Sequence, residues 1–118
     1  MDDIILIIIS IVLASLGQLF FKLGMNTLGP ESNFTLPDLI PIFTNLYILT
    51  GLIMYGLGII FWFVALSRRD LSYVYPFVAL TFILVLILSK IFLGESIGLQ
   101  RSIGVLFIIT GLFIVMRS

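Results

Sequence analysis

The sequence predicts an all-α membrane protein built from four transmembrane helices. Four apolar stretches run over residues 4–25, 46–67, 71–93 and 99–116, and each has about the 20 residues that a helix needs to cross a bilayer. Of the 118 residues, 61% are hydrophobic and 10% are charged, whereas about a quarter of a soluble domain is charged. All six acidic residues lie outside these stretches. We refer to the stretches as spans 1 to 4.

The first stretch is predicted to be an uncleaved span rather than a signal peptide. Met1 is followed by Asp2 and Asp3, where a signal peptide carries a basic region, and the apolar run outlasts a typical signal. We therefore expect residues 1–118 to form one transmembrane domain.

Residues 26–45 form the one long connection, which we expect to be an interfacial loop. Pro30, Pro37 and Pro41 argue against a regular helix through its middle. Its apolar residues favour the membrane surface over water; they are Phe34, Leu36, Leu39, Ile40, Ile42 and Phe43.

The residue types that are missing exclude several kinds of chemistry. The chain has no His and no Cys, which removes disulfides, thiol and imidazole chemistry and the usual zinc ligands. We expect no enzymatic activity, no metal site and no cofactor. The net charge is zero, so nothing indicates binding to nucleic acid.

A polar stripe in span 1 is the first candidate site. Gln18 and Lys22 are four residues apart, Ser15 precedes Gln18 by three, and Gly17 allows close approach of a second helix. Such a stripe faces protein or a water-filled cavity, where Lys22 would meet an anionic head group such as phosphate. Alternatively, Lys22 snorkels to the interface and Gln18 joins helices.

A second candidate site, the pair Tyr75 and Pro76, lies near the start of span 3. A proline leaves a carbonyl one turn earlier without its partner and can bend the helix, so Tyr75 could line a cavity. An interfacial aromatic residue with a proline in the first turns is the alternative.

Spans 3 and 4 are joined by a short turn that contains Glu95. We expect Glu95 to cap the start of span 4 or to pair with Arg101. In span 4, Gly104 and Gly111 are seven residues apart and share a face, which indicates contact with another helix.

The basic residues are balanced between the two membrane faces. Arg68, Arg69 and Arg117 belong to one face, and Lys22, Lys90 and Arg101 to the other. Three against three gives no positive-inside bias. This favours dual topology and an antiparallel dimer, unless Lys22 and Lys90 lie within the helices and do not count. Four helices also give little wall for a passage, and inverted pairs are common in transporters.

Three motifs resemble known transporters. The segment Phe92-Leu93-Gly94-Glu95 through Gln100, Gly104 and Ile109-Thr110-Gly111 is similar to the closing part of the drug/metabolite transporter superfamily. The four-span layout resembles the small multidrug resistance transporters, which use a Glu in span 1. This chain has Leu13-Ala14-Ser15-Leu16-Gly17 there instead. Ser15-x-Gly17-Gln18-Leu19-x-x-Lys22 and Tyr75-Pro76-x-x-Ala79-Leu80-Thr81-Phe82 resemble the small flippase subunits for undecaprenyl phosphate–aminoarabinose.

The resemblance implies a small multidrug resistance-like bundle in a prokaryotic inner membrane, which flips a polyprenyl-phosphate-linked sugar. Lys22 would neutralise the phosphate, and Ser15, Gln18, Tyr75 and Thr81 would hydrogen-bond the sugar. The partner is a second copy or a related subunit. Two alternatives stay open, namely an exporter of small solutes or cationic drugs that lacks the span-1 Glu, and a membrane protein that stabilises another protein without transporting.

Overall fold

The computed structural model of this chain describes residues 2–29 and 35–118. Over these residues the chain is almost wholly helical, and four of its helical segments are long and apolar enough to cross a membrane. The predicted fold class is thus confirmed. The helices are α1 (Asp3–Leu28), α2 (Leu36–Thr44), α3 (Leu46–Arg68), α4 (Leu71–Val74), α5 (Val78–Phe92) and α6 (Leu99–Met116).

The connection after span 1 contains the helix α2, although its prolines predicted no regular helix there. Pro37 stands in the first turn of α2, where its missing N–H is not needed. Pro41 lies inside the helix and costs the one hydrogen bond to the Pro37 carbonyl. Thr35 and Asp38 form a capping box that stabilises the start. Pro30, Glu31 and Phe34 of the predicted loop lie outside the described residues.

Helix α2 leaves an apolar face open. Leu36, Ile40 and Phe43 follow the i, i+4, i+7 spacing of one helix face, and they are 79%, 66% and 58% exposed. A short helix with such a face is suited to the membrane surface. The interfacial position of this segment stays a prediction.

Helices α1 and α3 are joined along a seam of glycines. A Cβ on Gly17 would lie 2.9 Å from the Gly51 carbonyl oxygen, and a Cβ on Gly58 would lie 3.0 Å from the Ser10 carbonyl oxygen. Gly24 is similarly crowded by Ile48 and Asn45. Small residues let backbones approach closely in a membrane, so the predicted packing role of Gly17 is confirmed.

Span 3 is a single rod, Leu71–Phe92, with an altered turn near its start. Tyr75–Phe77 form a turn of 3-10 helix between α4 and α5, because Pro76 cannot donate to the helical ladder. The turn places Phe77 and Val74 in the core, where they are 1% and 0% exposed. Tyr75 points away from that core and is exposed.

Ion pairs and a cation–π contact connect the helices at the end of the bundle that carries Asp3. Asp3 carboxylate oxygens lie 3.7 Å from a guanidinium nitrogen of Arg68 and 3.7 Å from one of Arg69. The Arg69 guanidinium also stacks 3.9 Å from the centre of the Tyr73 ring. Below these contacts lies the buried core, formed by Leu6, Ile7, Ile11, Ala65, Val74, Phe77 and Leu112.

Helix α6 is the least packed span. The buried share of the most apolar part falls from 39% in α1 to 6% in α6. A Cβ on Gly104 or Gly111 would meet nothing within 4 Å, so among the described residues these glycines contact no other helix. The helix contact predicted from the spacing of Gly104 and Gly111 is therefore not made among the described residues.

Candidate functional site

Two cavities flank α1 on the side that faces span 3. The first, which we call the lysine cavity, lies between α1 and α5 and has a volume of about 320 Å³. It is lined by Ser15, Gln18, Leu19 and Lys22 of α1, by Val85, Leu88 and Ser89 of α5, and by Leu93 and Glu95. Its volume is at the lower end of the roughly 300–1,000 Å³ of small-molecule sites.

The second cavity, which we call the aromatic cavity, lies among α1, α3 and span 3. It also has a volume of about 320 Å³. Its polar and aromatic lining consists of Ser10, Gln18, Tyr55, Trp62, Tyr75 and Thr81, and apolar residues and Gly58 complete the wall. Both cavities are partly open clefts rather than enclosed voids.

Every sequence-predicted site residue lines one of these clefts. Ser15 and Lys22 line the lysine cavity, and Tyr75 and Thr81 line the aromatic cavity. Gln18 lines both. The five residues therefore do not form a single cluster but a polar path that passes from one cleft to the other at Gln18.

The hydroxyl group of Ser15 is already engaged. Ser15 is 1% exposed, and its Oγ donates a hydrogen bond of 2.7 Å to the Ile11 carbonyl oxygen one turn earlier. A serine oxygen keeps acceptor capacity while its hydrogen is used. Towards a ligand, Ser15 can thus only accept, whereas the exposed Gln18 amide can both donate and accept.

The charges in the two clefts are few. Lys22 and Glu95 are the charged residues that line the lysine cavity, and no charged residue lines the aromatic cavity. Both side chains belong to exposed residues. Within the part of the chain that the structure describes, Lys22 makes no salt bridge. A cation on the wall of an open cleft is available to an anionic ligand.

Glu95 does not have the role that the sequence indicates. Helix α6 begins after Gly98, and the residue at that cap provides no side-chain hydrogen bond. Within the described residues Glu95 and Arg101 form no salt bridge. Instead, the turn after α5 carries Glu95 back over the end of that helix, where it lines the lysine cavity.

Sequence reasoning missed the contribution of α3. Tyr55 and Trp62 both line the aromatic cavity, together with Gly58 and Ile59. A signal was present, because positions 55, 58, 59 and 62 follow the spacing of one helix face. That face remained unassigned because aromatic residues in a span equally suit lipid contact.

Within residues 2–29 and 35–118, no three His, Cys, Asp or Glu side chains come together as a metal site. Apart from one amine and one carboxylate, the polar groups that line the clefts are neutral hydrogen-bonding groups. Such a set can bind and position a polar head group.

Comparison with known proteins identifies the family of this chain. The sequence profile of the EamA-like transporter family matches residues 44–117, which comprise α3, span 3 and α6. This chain belongs to the EamA-like transporter family. The predicted place in the drug/metabolite transporter superfamily is confirmed, and an EamA-like chain with four spans is an integral membrane protein with a transport role.

Several relatives of this EamA-like protein also cover α1. The chain is 27% identical to a probable 4-amino-4-deoxy-L-arabinose-phosphoundecaprenol flippase subunit ArnF of Proteus mirabilis (strain HI4320), over 94% of this chain and 89% of the relative. It is 31% identical to the probable ArnF subunit of Serratia proteamaculans (strain 568), over 90% of this chain and 85% of the relative.

An ArnE subunit is similar as well. The probable subunit of Pseudomonas savastanoi pv. phaseolicola (strain 1448A / Race 6) is 26% identical over 86% of this chain and 85% of the relative. No solved structure is a significant match. The resemblance of the EamA-like chain to small flippase subunits is therefore confirmed.

Proposed function

We propose that this chain translocates a polyprenyl-phosphate-linked sugar, or a similar anionic amphipathic lipid, across a prokaryotic inner membrane. The observation that carries the proposal is the position of Lys22. It is the one basic residue that lines either cleft in the described chain, and it follows Ser15 and Gln18 on the same face of α1. The names of the relatives, which refer to a phosphoundecaprenol-linked sugar, support the same cargo.

The shape of the clefts suits a lipid with a large polar head. Because both clefts are partly open, the apolar tail can stay in the bilayer while the phosphate and the sugar enter. An ammonium–phosphate hydrogen bond is charge-assisted and among the stronger ones in proteins. Lys22 is therefore assigned to the phosphate.

The sugar is assigned to the polar path that begins at Gln18. From there the aromatic cavity offers Tyr75 and Thr81, whose hydroxyl groups both donate and accept. Aromatic rings such as Trp62 give the apolar face of a sugar ring a surface to lie on. The head group would move along α1 rather than through the centre of one chain.

We further propose that the functional unit is a dimer, formed by two copies in antiparallel orientation or with a related subunit. The balanced charges of the two faces permit insertion both ways. Helix α6 is 6% buried over its most apolar part, and its glycines face open space. A second chain would give this helix its missing neighbour.

A second candidate function is export of a small solute or cationic drug. Three aromatic residues, Tyr55, Trp62 and Tyr75, line the aromatic cavity, and aromatic faces attract cations. No acid lines that cavity, which weakens this candidate relative to the first.

The proposal is tested in vesicles that contain the full chain. A polyprenyl-phosphate-linked pentose is added to one leaflet, and its appearance in the other leaflet is measured. We expect Lys22→Gln to reduce the rate by about tenfold or more, which is the scale of one charge-assisted hydrogen bond.

Lys90→Gln is the matched control. Lys90 belongs to the same membrane face and is exposed, but it lines neither cavity, so its loss should leave the rate within about twofold. Equal rates for Lys22→Gln and wild type would refute the proposal. Movement of a quaternary ammonium probe, with none of the lipid-linked sugar, would favour the second candidate.

A further inference from the structure

Ser10 is a buried polar residue whose hydroxyl group is not used inside the protein. It is 4% exposed and belongs to the part of α1 that lines the aromatic cavity. Serine and threonine hydroxyls in a helix commonly donate to a carbonyl oxygen one turn earlier, as those of Ser15 and Thr110 do. Among residues 2–29 and 35–118, the Ser10 hydroxyl makes no hydrogen bond of this or any other kind.

The Ser10 oxygen opens onto the aromatic cavity. Every fully buried side-chain nitrogen or oxygen among the described residues has a hydrogen-bond partner. Because the Ser10 oxygen has none, it belongs to the small exposed fraction of the residue, where Ser10 forms part of the cavity wall. An unpaired hydroxyl that water hardly reaches raises the free energy of the empty site. A ligand that pairs with this hydroxyl removes that cost.

Helix α3 holds the Ser10 backbone from the other side. A Cβ on Gly58 would lie 3.0 Å from the Ser10 carbonyl oxygen, so a side chain at position 58 would push the two helices apart. Gly58 is itself buried and lines the same cavity. This close backbone contact fixes the place at which the Ser10 hydroxyl meets the cleft.

Ser10 also extends the polar path along α1. Ser10, Ala14 and Gln18 are spaced by four residues, and all three line the aromatic cavity, as residues on one helix face do. At 1.5 Å per residue, Ser10 lies about 12 Å from Gln18 and about 18 Å from Lys22 along the helix. The path from Lys22 to Ser10 therefore covers more than half of a hydrocarbon core roughly 30 Å thick.

We propose that Ser10 is a specificity-determining residue, whose hydroxyl binds a hydroxyl group of the sugar while the head group occupies the aromatic cavity. This inference rests on the proposed function. Within the described chain no charged residue lines this cavity, and a hydroxyl both donates and accepts, so a neutral hydroxyl is the ligand group that matches Ser10. A site that hydrogen-bonds a hydroxyl of its substrate rejects analogues that lack it.

The test compares lipid-linked sugars that differ by one hydroxyl. Full-length wild type and Ser10→Ala are placed in vesicles with a polyprenyl-phosphate-linked pentose, or with probes in which each sugar hydroxyl in turn is replaced by hydrogen. We expect the wild type to move one of these deoxy probes about tenfold more slowly than the parent sugar. Ser10→Ala should move the parent sugar and that probe at equal rates, because the partner of the hydroxyl is gone.

Two further measurements separate this role from damage to the fold. Because the Ser10 hydroxyl has no partner in the empty protein, Ser10→Ala should be as stable to unfolding as the wild type or more so. Its affinity for polyprenyl phosphate without a sugar should equal that of the wild type, since Lys22 makes that contact. Ser102→Ala is the matched control and should keep the wild-type preference. Ser102 is exposed, donates to the Gly98 carbonyl oxygen and lines neither cavity.

The outcomes distinguish this inference from the proposed function. If Ser10→Ala keeps the wild-type preference among the probes, or if the wild type moves all probes equally, Ser10 does not recognise the sugar, and the inference is overturned while the proposed function stands. The inference is also overturned if Ser10→Ala loses stability or affinity for polyprenyl phosphate together with the preference, because the role of Ser10 is then structural. If the wild type moves no lipid-linked probe, the proposed function itself fails, and this inference fails with it.

Discussion

Gly17 of α1 and Gly51 of α3 meet backbone to backbone across the main helix interface. A Cβ on Gly51 would lie 2.8 Å from the Gly17 carbonyl oxygen and 2.8 Å from Phe21 Cδ1. Because the obstacle includes backbone, the helices themselves would have to move apart. Helix α1 carries the polar stripe and lines both clefts, so the position of the stripe relative to α3 depends on this contact.

The first prediction concerns this contact. Gly51→Ala should destabilise the protein by about 1–3 kcal/mol, the range for overpacking a tight interface. The measurement is reversible unfolding of the purified protein in detergent or lipid.

Gly56→Ala in the same helix is the control. A Cβ on Gly56 would meet nothing within 4 Å, and alanine is the better helix former by about 1 kcal/mol. This variant should be as stable as the wild type or more so. An equal loss of stability in both variants would show that the close approach is not what matters at Gly51.

A second prediction separates two members of the polar stripe. Gln18 lines both cavities, so Gln18→Leu should interrupt the polar path and reduce translocation by about tenfold or more. Ser15→Ala should have a smaller effect on translocation, because the Ser15 hydroxyl already donates to the Ile11 carbonyl. Rates are compared in the same vesicles. A larger loss for Ser15→Ala than for Gln18→Leu would contradict the assignment.

A third prediction tests the proposed dimer through α6. The chain has no cysteine, so a single introduced thiol gives an unambiguous crosslink. Phe107 lies between Gly104 and Gly111 and is 75% exposed. Because it is near the midpoint of the glycine pair, Phe107→Cys should crosslink in membranes for either orientation of the two chains.

Phe63→Cys is the matched position on α3, where the side chain is 63% exposed but no pair of open glycines flanks it. It should crosslink far less. Crosslinking that is equal at both positions, or absent at both, would count against an α6 interface between two copies of this chain.

A fourth prediction concerns the ion pairs that Asp3 makes with Arg68 and Arg69. Asp3 lies 3.7 Å from both Arg68 and Arg69, whose side chains are 45% and 39% exposed. The Asp3 side chain is 26% exposed, and ion pairs at such a partly exposed surface contribute about 1 kcal/mol or less. Asp3→Asn should therefore leave unfolding nearly unchanged, as should Asp2→Asn beside it. If Asp3→Asn alone lowered the free energy of unfolding by several kcal/mol, these pairs would be a main source of stability at that end of the bundle.

The four spans could be predicted because bilayer thickness dictates helix length and composition. The end of span 1 was predicted at residue 25, three residues too early. No breaker stands between Met25 and Gly29, and α1 continues until the left-handed Gly29, so residues 26–28 belong to the helix rather than to the loop. Helix α2 was not predicted, because Pro37 and Pro41 disfavour a helix interior, whereas in the structure Pro37 stands in the first turn and a capping box of Thr35 and Asp38 stabilises the start.

The α1 part of the candidate site could be predicted from spacing, since three polar side chains on one face need somewhere polar to point. The contribution of other helices could not, because it depends on packing. Glu95 is far from Lys22 in sequence, and only the turn at Gly94 brings it to the same cavity. Trp62 and Tyr55 likewise become part of a cleft only once α3 lies against α1.

The most direct test of the central claim is the binding of polyprenyl phosphate, without any sugar, to the purified full chain. We predict that Lys22→Gln weakens the affinity by about tenfold or more, because a charge-assisted contact to phosphate is lost. Lys90→Gln should bind as the wild type does. Unchanged affinity in Lys22→Gln, with the wild type binding measurably, would contradict the assignment of Lys22 to the phosphate.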